Sequence, residues 1–221
     1  MKKKIEMFDV CVYSVVTLIC IIMLYPFLNV IAVAFSEYTE YLKNPLMILP
    51  SGFTLSAFKF VLKEGQVIVS YGNTIFVTVM GVLIGLTLIT LMAYPLSRLH
   101  LKGRGIIMNI VIFSMMFSGG MIPNYYLVRS LGLIDSLWAV ILPGAFSAYN
   151  MILMKNFLEA LPDSLMEAAS IDGASEPCIL FKIALPLCKP ILATLCLFIA
   201  VQYWNSYFTA MLYIRDRTKW T

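Results

Sequence analysis

The feature that most limits what this chain can fold into is a series of long apolar runs almost free of charge. They lie at about 10–35, 73–96, 106–122, 137–156 and 190–214. Crossing the roughly 30 Å hydrocarbon layer of a bilayer takes on the order of 20 apolar residues in a helix, and these runs have that length. Lys155, near the end of the fourth, is the one formal charge they hold, and the fifth is interrupted only by uncharged polar residues such as Gln202 and Asn205. Inside lipid only helices and closed barrels satisfy their own backbone hydrogen bonds. The runs lack the apolar/polar alternation of barrel strands, so the expectation is an all-α, polytopic transmembrane helical bundle, one membrane domain over 1–221.

Composition supports the membrane reading. Hydrophobic residues make up 61% of the 221 and charged residues 13%, far from the mixture of a soluble domain. The Met-Lys-Lys-Lys start precedes an apolar run too long for the core of a secretory signal, and no small-residue cleavage site follows; it reads as a retained anchor. Lys2, Lys3 and Lys4 place the N-terminus in the cytoplasm by the positive-inside rule, and Arg98, Lys102 and Arg104 do the same for the connection 97–105. Alternation then puts 36–70, 118–136 and the C-terminal end outside, and 155–190 inside. The net charge of +4 belongs to these flanks and gives no nucleic-acid-binding patch. The five cysteines show no paired spacing and read as packing residues.

Local signals mark the connections. Pro45, Pro50 and Gly52 break 37–71 around an amphipathic piece at 57–62, which reads either as a cap on the bundle or a partner contact, or as a solvated loop with one surface helix. Ser118-Gly-Gly-Met-Ile-Pro-Asn-Tyr-Tyr126 reads as a helix break, with a hinge or re-entrant element as one form. Asp135 or Ser136 is available to cap the next helix, with Trp138 at interfacial depth. Gly81, Gly85 and Ala93 read as close helix packing.

Catalytic chemistry finds no constellation. A single histidine, His100, sits in a basic connection and builds neither a metal site nor a Ser/His/Asp triad; it reads as a solvated loop residue. No Gly-x-x-x-x-Gly-Lys-Ser/Thr loop is present, so nucleotide hydrolysis cannot be assigned to this chain.

The mechanistic signal lies in 157–189. Glu167-Ala-Ala-Ser-Ile-Asp-Gly-Ala174 is followed by Phe181, Ile183, Leu185-Pro186 and Pro190. Asp163 or Ser164 can cap a short helix, Ala168 and Ala169 allow close approach of another backbone, and Gly173 supplies a left-handed stop. Ser175 can cap a second helix, with Glu176 favoured by the dipole of its first turn, Pro177 tolerated there and Pro186 ending or kinking the run.

At these residues the chain resembles the permeases of ATP-binding-cassette (ABC) importers, whose signature is EAA, two residues, DGA, then F, I, LP and P. The resemblance implies a type I importer permease fold and a coupling helix that sits in a groove of a separate cytoplasmic ATPase dimer. It implies that Glu167, Ala168, Ala169, Asp172, Gly173 and Ala174 make that contact, while Phe181, Leu185 and Pro186 anchor the second helix on the bundle. Gly119-Gly-Met-Ile-Pro123, Leu131-Gly-Leu133, Trp138-Ala-Val-Ile-Leu-Pro143 and Trp204-Asn205 look like the carbohydrate-uptake, maltose-permease-related branch. From that branch come a second homologous permease, an extracytoplasmic sugar-binding protein and a bacterial cytoplasmic membrane location, with ATP and magnesium on the ATPase and no cofactor in this chain. Two departures stand out: Pro177 replaces a frequent aromatic, and the branch's sixth span finds no counterpart before Thr221, which reads as a C-terminal truncation.

Polar and aromatic residues inside the fifth span, Gln202, Tyr203, Trp204 and Asn205, with Tyr149 and Asn150 in the fourth, suit a sugar path because aromatic faces cover sugar rings and amides bond hydroxyls. Interhelix glue with an aromatic belt is the plainer alternative. Rival functions are an importer permease for a non-sugar solute such as a peptide or polyamine, and an ion-driven secondary transporter. The latter usually carries charges or broken helices at mid-membrane, and an intramembrane enzyme would need a catalytic cluster.

Overall fold

The computed structural model describes residues 7–63, 65–117 and 119–221; Lys2, Lys3, Lys4 and Ser118 lie outside the described residues. Helix accounts for 77% of the described residues, and no strand is found among them. The chain divides after Val67 into two compact units.

In the first unit, α1 (Met7–Ala34) is long and apolar enough to cross a membrane. It buries only Ala32 within the chain. Its exposed apolar flanks suit hydrocarbon, where outward-facing leucines and valines carry no penalty. α2 (Tyr38–Lys43) and α3 (Ser56–Lys63) follow, the latter matching the amphipathic piece expected at 57–62. The loop around them is pinned to α1. Asn29 Nδ2 donates to the carbonyls of Pro45 and Met47 (2.9 and 2.8 Å), and the Ser36 hydroxyl accepts from the Ser51 amide (2.9 Å). Phe35 packs against Phe53 and Phe58.

The second unit is built around α4 (Gln66–Ser97), of which all but the first two residues belong to it; this helix too is long and apolar enough to span a membrane. There follow α5 (Arg104–Met116), α6 (Met121–Ser130), α7 (Trp138–Ile141), α8 (Ala148–Glu159), α9 (Asp163–Ile171), α10 (Glu176–Ile179), α11 (Leu185–Leu187), α12 (Lys189–Trp204) and α13 (Tyr207–Tyr213). Helix α8 packs against α5 and α12, and α7 against α13. The core joins Val77, Ile89 and Ala93 of α4 to Met151 and Met154 of α8 and to Leu195 and Ile199 of α12. A smaller cluster of Val128, Ala139 and Tyr213 holds α6, α7 and α13 together.

Three expected spans differ in detail. The run 106–122 ends its helix at Met116, and Gly120 at φ +82° precedes the start of α6, in the glycine-rich stretch read as a break. The run 137–156 is two helices. Pro143 has no amide to continue α7, a 3-10 turn covers Leu142–Gly144, and Ser147 then opens α8 by accepting the Asn150 amide. In 190–214, α12 stops at Trp204 and α13 begins at Tyr207. Asn205 turns its amide back onto the Val201 carbonyl (2.8 Å), and the Ser206 amide bonds Tyr203 instead of continuing the α-helical ladder.

The glycines of α4 do what close packing requires. A Cβ on Gly81 would lie 2.2 Å from the Tyr203 ring, and one on Gly85 would meet the Ala145 carbonyl at 3.2 Å. Of the cysteines, Cys188 is buried, whereas Cys11 and Cys20 are exposed and do not pack as expected.

Candidate functional site

The segment between α8 and α12 folds from local rules. Pro162, extended at ψ 124°, is the N-cap of α9, so neither Asp163 nor Ser164 caps it; Asp163 instead lies in the first turn, where the helix dipole favours a carboxylate. Met166 and Ala169, three residues apart and hence on one face, are buried against the core. Glu167 and Ala168 are exposed on another. The two alanines therefore part roles: Ala169 packs inward, Ala168 faces out.

Gly173, at φ +80°, stops the helix. Its amide donates to Ser170 and that of Ala174 to Ala169, the paired bonds of a Schellman stop, while half-buried Ala174 packs on the core. A side chain at 173 would meet no neighbour, so the glycine is required by conformation and not by space. Asp172 and Gly173 stay exposed.

Ser175 stands at the N-cap of α10 without a side-chain bond, and Glu176 and Pro177 fill its first turn. A π-helical turn covers Leu180–Ala184. It sits where Pro186, which has no amide for the Lys182 carbonyl, would disturb an α-helical ladder. The chain bends by 83° between α11 and α12. Ile179, Leu180, Ala184 and Cys188 are the buried anchors. Phe181, expected to anchor, is 61% exposed, Leu185 is half-buried and Pro186 exposed, because the wide turn rotates Leu180 and Ala184 inward.

Sequence reading took the basic connection 97–105 only as a marker of orientation and missed its contacts. The Tyr94 hydroxyl donates to Glu176 Oε2 (2.6 Å) and accepts from Arg98 Nη2 (2.7 Å). Arg98 also lies 3.9 Å from that carboxylate and 4.7 Å over the Tyr94 ring. Arg104 pairs with Glu159, which also takes the ammonium of the largely buried Lys155 (2.6 Å). Beside Arg98 and Glu176 lies a depression of about 300 Å³, lined also by His100, Asp163 and Glu167 among others. His100 is exposed, as expected of a loop residue.

At the other end of α4, Asn73 Nδ2 donates to the carbonyls of Thr218 and Trp220 (3.0 and 2.9 Å). Asp135, at φ +65°, does not cap a helix; its Oδ1 accepts the amides of Arg215 and Asp216 (3.1 and 3.0 Å) and Lys219 bonds its carbonyl (2.9 Å). The Asp216 amide, more than the other partners, holds the Asp135 carboxyl below the usual carboxylate range. Asn73 and Tyr94 are about 32 Å apart at 1.5 Å per helical residue, close to the thickness of a bilayer core. Residues 135 and 215–220 thus gather at one end of α4, and 98–104 with 159–176 at the other.

Residues expected to line a path separate into two kinds. Tyr203 is buried and its hydroxyl donates to the Ile141 carbonyl (2.7 Å), which the 3-10 turn at Pro143 leaves without its usual amide. That makes Tyr203 a strut between α12 and α7, with Gly81 and Gly144 making room for its ring. Asn150 is buried in α8 and Asn205 bonds its own helix. Tyr149, Gln202 and Trp204 are exposed, Trp204 lying beside Tyr71 with ring centroids 6.3 Å apart. Among the described residues no cluster of His, Cys, Asp and Glu could hold a metal.

Residues 81–216 match the family described as binding-protein-dependent transport system inner membrane component. Protein LplC of Bacillus subtilis is 47% identical over 215 residues, which is 97% of this chain and 73% of that protein. The polygalacturonan/rhamnogalacturonan transport system permease protein YtcP of the same organism is 44% identical, over 98% of this chain and 76% of its own length. The crystal structure of a bacterial ABC transporter involved in the import of the acidic polysaccharide alginate superposes with a TM-score of 0.93 at 35% identity, over 99% of this chain and 78% of the chain compared. With the family profile covering more than half of the sequence, and a type I permease architecture around an α9 that ends at Asp172-Gly173, the chain belongs to the inner-membrane permease components of binding-protein-dependent ABC importers.

Proposed function

We propose that this chain is the permease of a carbohydrate importer and that α9 is the element its ATPase engages. The observation that carries this reading is the outward face of α9: Glu167, Ala168, Asp172 and Gly173 are exposed on a helix whose stop is fixed by Gly173, at the end of the unit that carries Arg98 and Arg104. Glu167 and Asp172 offer charge to a partner, and Ala168 lets its surface come close. That end faces the cytoplasm, in line with the arginines of 97–105, as does the N-terminus. ATP and magnesium reside on the ATPase, and this chain holds no cofactor. Since one chain offers one α9 to an ATPase dimer, a second homologous permease completes the pore.

The names of the relatives support carbohydrate as cargo: polygalacturonan and rhamnogalacturonan for one, alginate for the structural neighbour. Tyr149, Gln202 and Trp204 are the exposed polar and aromatic groups offered to sugar rings.

Two measurements test this. Gly173→Val forces a branched side chain into a left-handed turn, at a cost of roughly 1–2 kcal/mol to that stop, and is expected to abolish co-purification of the ATPase with the folded permease; full retention would count against α9 as the docking element. For cargo, cells relying on this importer are expected to take up labelled oligogalacturonate or maltodextrin, and uptake of labelled peptide alone would move the assignment to a non-sugar solute.

A further inference from the structure

The ion pairs at the Arg98 end are placed on both sides of α9, and this placement has a mechanical meaning. Ahead of α9, Glu159 at the end of α8 is held by Arg104. Behind it, Glu176 at the start of α10 is held by Tyr94 and Arg98. Tyr94 is in the last turns of α4, and Arg98 and Arg104 bound its connection to α5. One short stretch, 94–104, therefore grips the coupling segment before and after its helix.

The grip is also fastened to the end of α4. Arg104 Nε donates to the Leu96 carbonyl (2.8 Å) while its guanidinium pairs with Glu159, and the buried Ser97 hydroxyl donates to the Tyr94 carbonyl (2.7 Å). Late carbonyls of a helix have no amide partner, and here Arg104 and Ser97 take two of them. Charge-assisted bonds are the stronger kind, and the Tyr94 hydroxyl passes one from Arg98 to Glu176. Under the middle of α9, by contrast, the 300 Å³ depression separates it from Arg98 and His100. The helix is seated on the core by Met166 and Ala169, tied just beyond its two ends, and open on the side of Asp163 and Glu167.

Taking α9 as the ATPase-docking element, we propose that the 94–104 stretch is a two-point bracket that makes α9 and the end of α4 move as one body, with Tyr94, Arg98, Arg104, Glu159 and Glu176 as positioning residues for transport. A push on α9 then reaches α4 without slack, and α4 carries it to Tyr203 through Gly81.

The test uses the assembled importer in nanodiscs, with ATPase, partner permease and binding protein. Spin labels are placed at Ile171→Cys, at the exposed tip of α9, and Val79→Cys, on the exposed side of α4, after replacement of the native cysteines. Distances are read without nucleotide and after trapping with ATP and orthovanadate. The bracketed protein is expected to keep one 79–171 separation in both states. Tyr94→Phe, which removes the shared hydroxyl, and Glu176→Gln, on a mostly exposed side chain that does not threaten folding, are expected to roughly double the width of the distribution in the trapped state only. The double variant should be no worse than the worse single one, because both break one network. A separation unchanged in both variants overturns the bracket. Equal broadening with and without nucleotide also overturns it, since that is the mark of simple loosening. The docking reading is judged apart, by ATPase retention in Gly173→Val: a bracket that fails in a complex that loses its ATPase on that substitution leaves docking intact.

Discussion

The two ends of α4 are held by different chemistry. At the Asn73 end, one amide and one carboxylate bind backbone groups: the carbonyls of Thr218 and Trp220, and the amides of Arg215 and Asp216. At the Tyr94 end, the contacts to Glu159 and Glu176 run from side chain to side chain, a kind that the Asn73 end adds in Lys219–Asp135 and Arg215–Tyr125. A bond to backbone fixes the path of the chain at that point. Paired side chains on stems with several rotatable bonds can follow one another through a displacement. The first kind suits an end that keeps its shape; the second, on the docking role proposed for α9, suits an end that moves and stays joined, with Tyr203 packed at Gly81 between the two.

The largest expected effect comes from breaking that middle. Gly81→Leu puts side-chain atoms where the Tyr203 ring lies 2.2 Å from a Cβ, which should cost about 3 kcal/mol or more by overpacking. Thermal unfolding of the purified protein in detergent should show it, and adding Tyr203→Ala should recover part of the loss; no recovery would mean that the ring is not the obstacle. Next comes Glu159→Ala, which leaves Arg104 and the largely buried Lys155 without their carboxylate, for roughly 2 kcal/mol. Its unfolding midpoint should fall further than that of Asp135→Ala, and the reverse order would erase the contrast between the ends.

Tyr203→Phe removes one buried hydroxyl donor from the Ile141 carbonyl, for about 1 kcal/mol. The apparent KM for uptake should stay unchanged, and a raised KM would return Tyr203 to the solute path. The smallest effect concerns pH. The Asp135 carboxyl is held below its ordinary range, chiefly by the Asp216 amide, so its folded pKa lies under its unfolded one. Such a group contributes stability that is present above the unfolded value, about 3.9, and is lost as pH falls through the lowered one. Hydrogen exchange at the Arg215 and Asp216 amides should stay protected down to that range and open below it, and Asp135→Asn should remove the pH dependence.

Much of the coupling segment is legible in order along the chain because its rules are local. Gly173 needs a left-handed turn, Glu176-Pro177 suits a first turn, and Met166 and Ala169 share a face three residues apart, all without reference to distant residues. The cap of α9 was misread because Asp163 is a good cap by type, yet the backbone turn falls one residue earlier, at Pro162. Phe181 was misread because a π turn adds a residue to the ladder and shifts every later side chain around the axis. Within the spans, hydropathy averages over Pro143 and Asn205 and passes over the breaks they make.

Residue order alone is enough to show that this chain lives in a membrane as helices, where the breaks between several of them lie, and that the stretch before Gly173 forms a helix with a fixed stop, since uncharged length, proline, glycine and spacing act on the chain locally. The packed fold is needed to show that Tyr203 is a strut, that Asp135 ties the loop before α7 to 215–219, and that Tyr94, Arg98 and Arg104 reach Glu176 and Glu159. Those partners are 55 to 84 residues apart, and no local preference encodes a meeting at that separation. It follows from which helices pack, and packing is decided by the whole core at once.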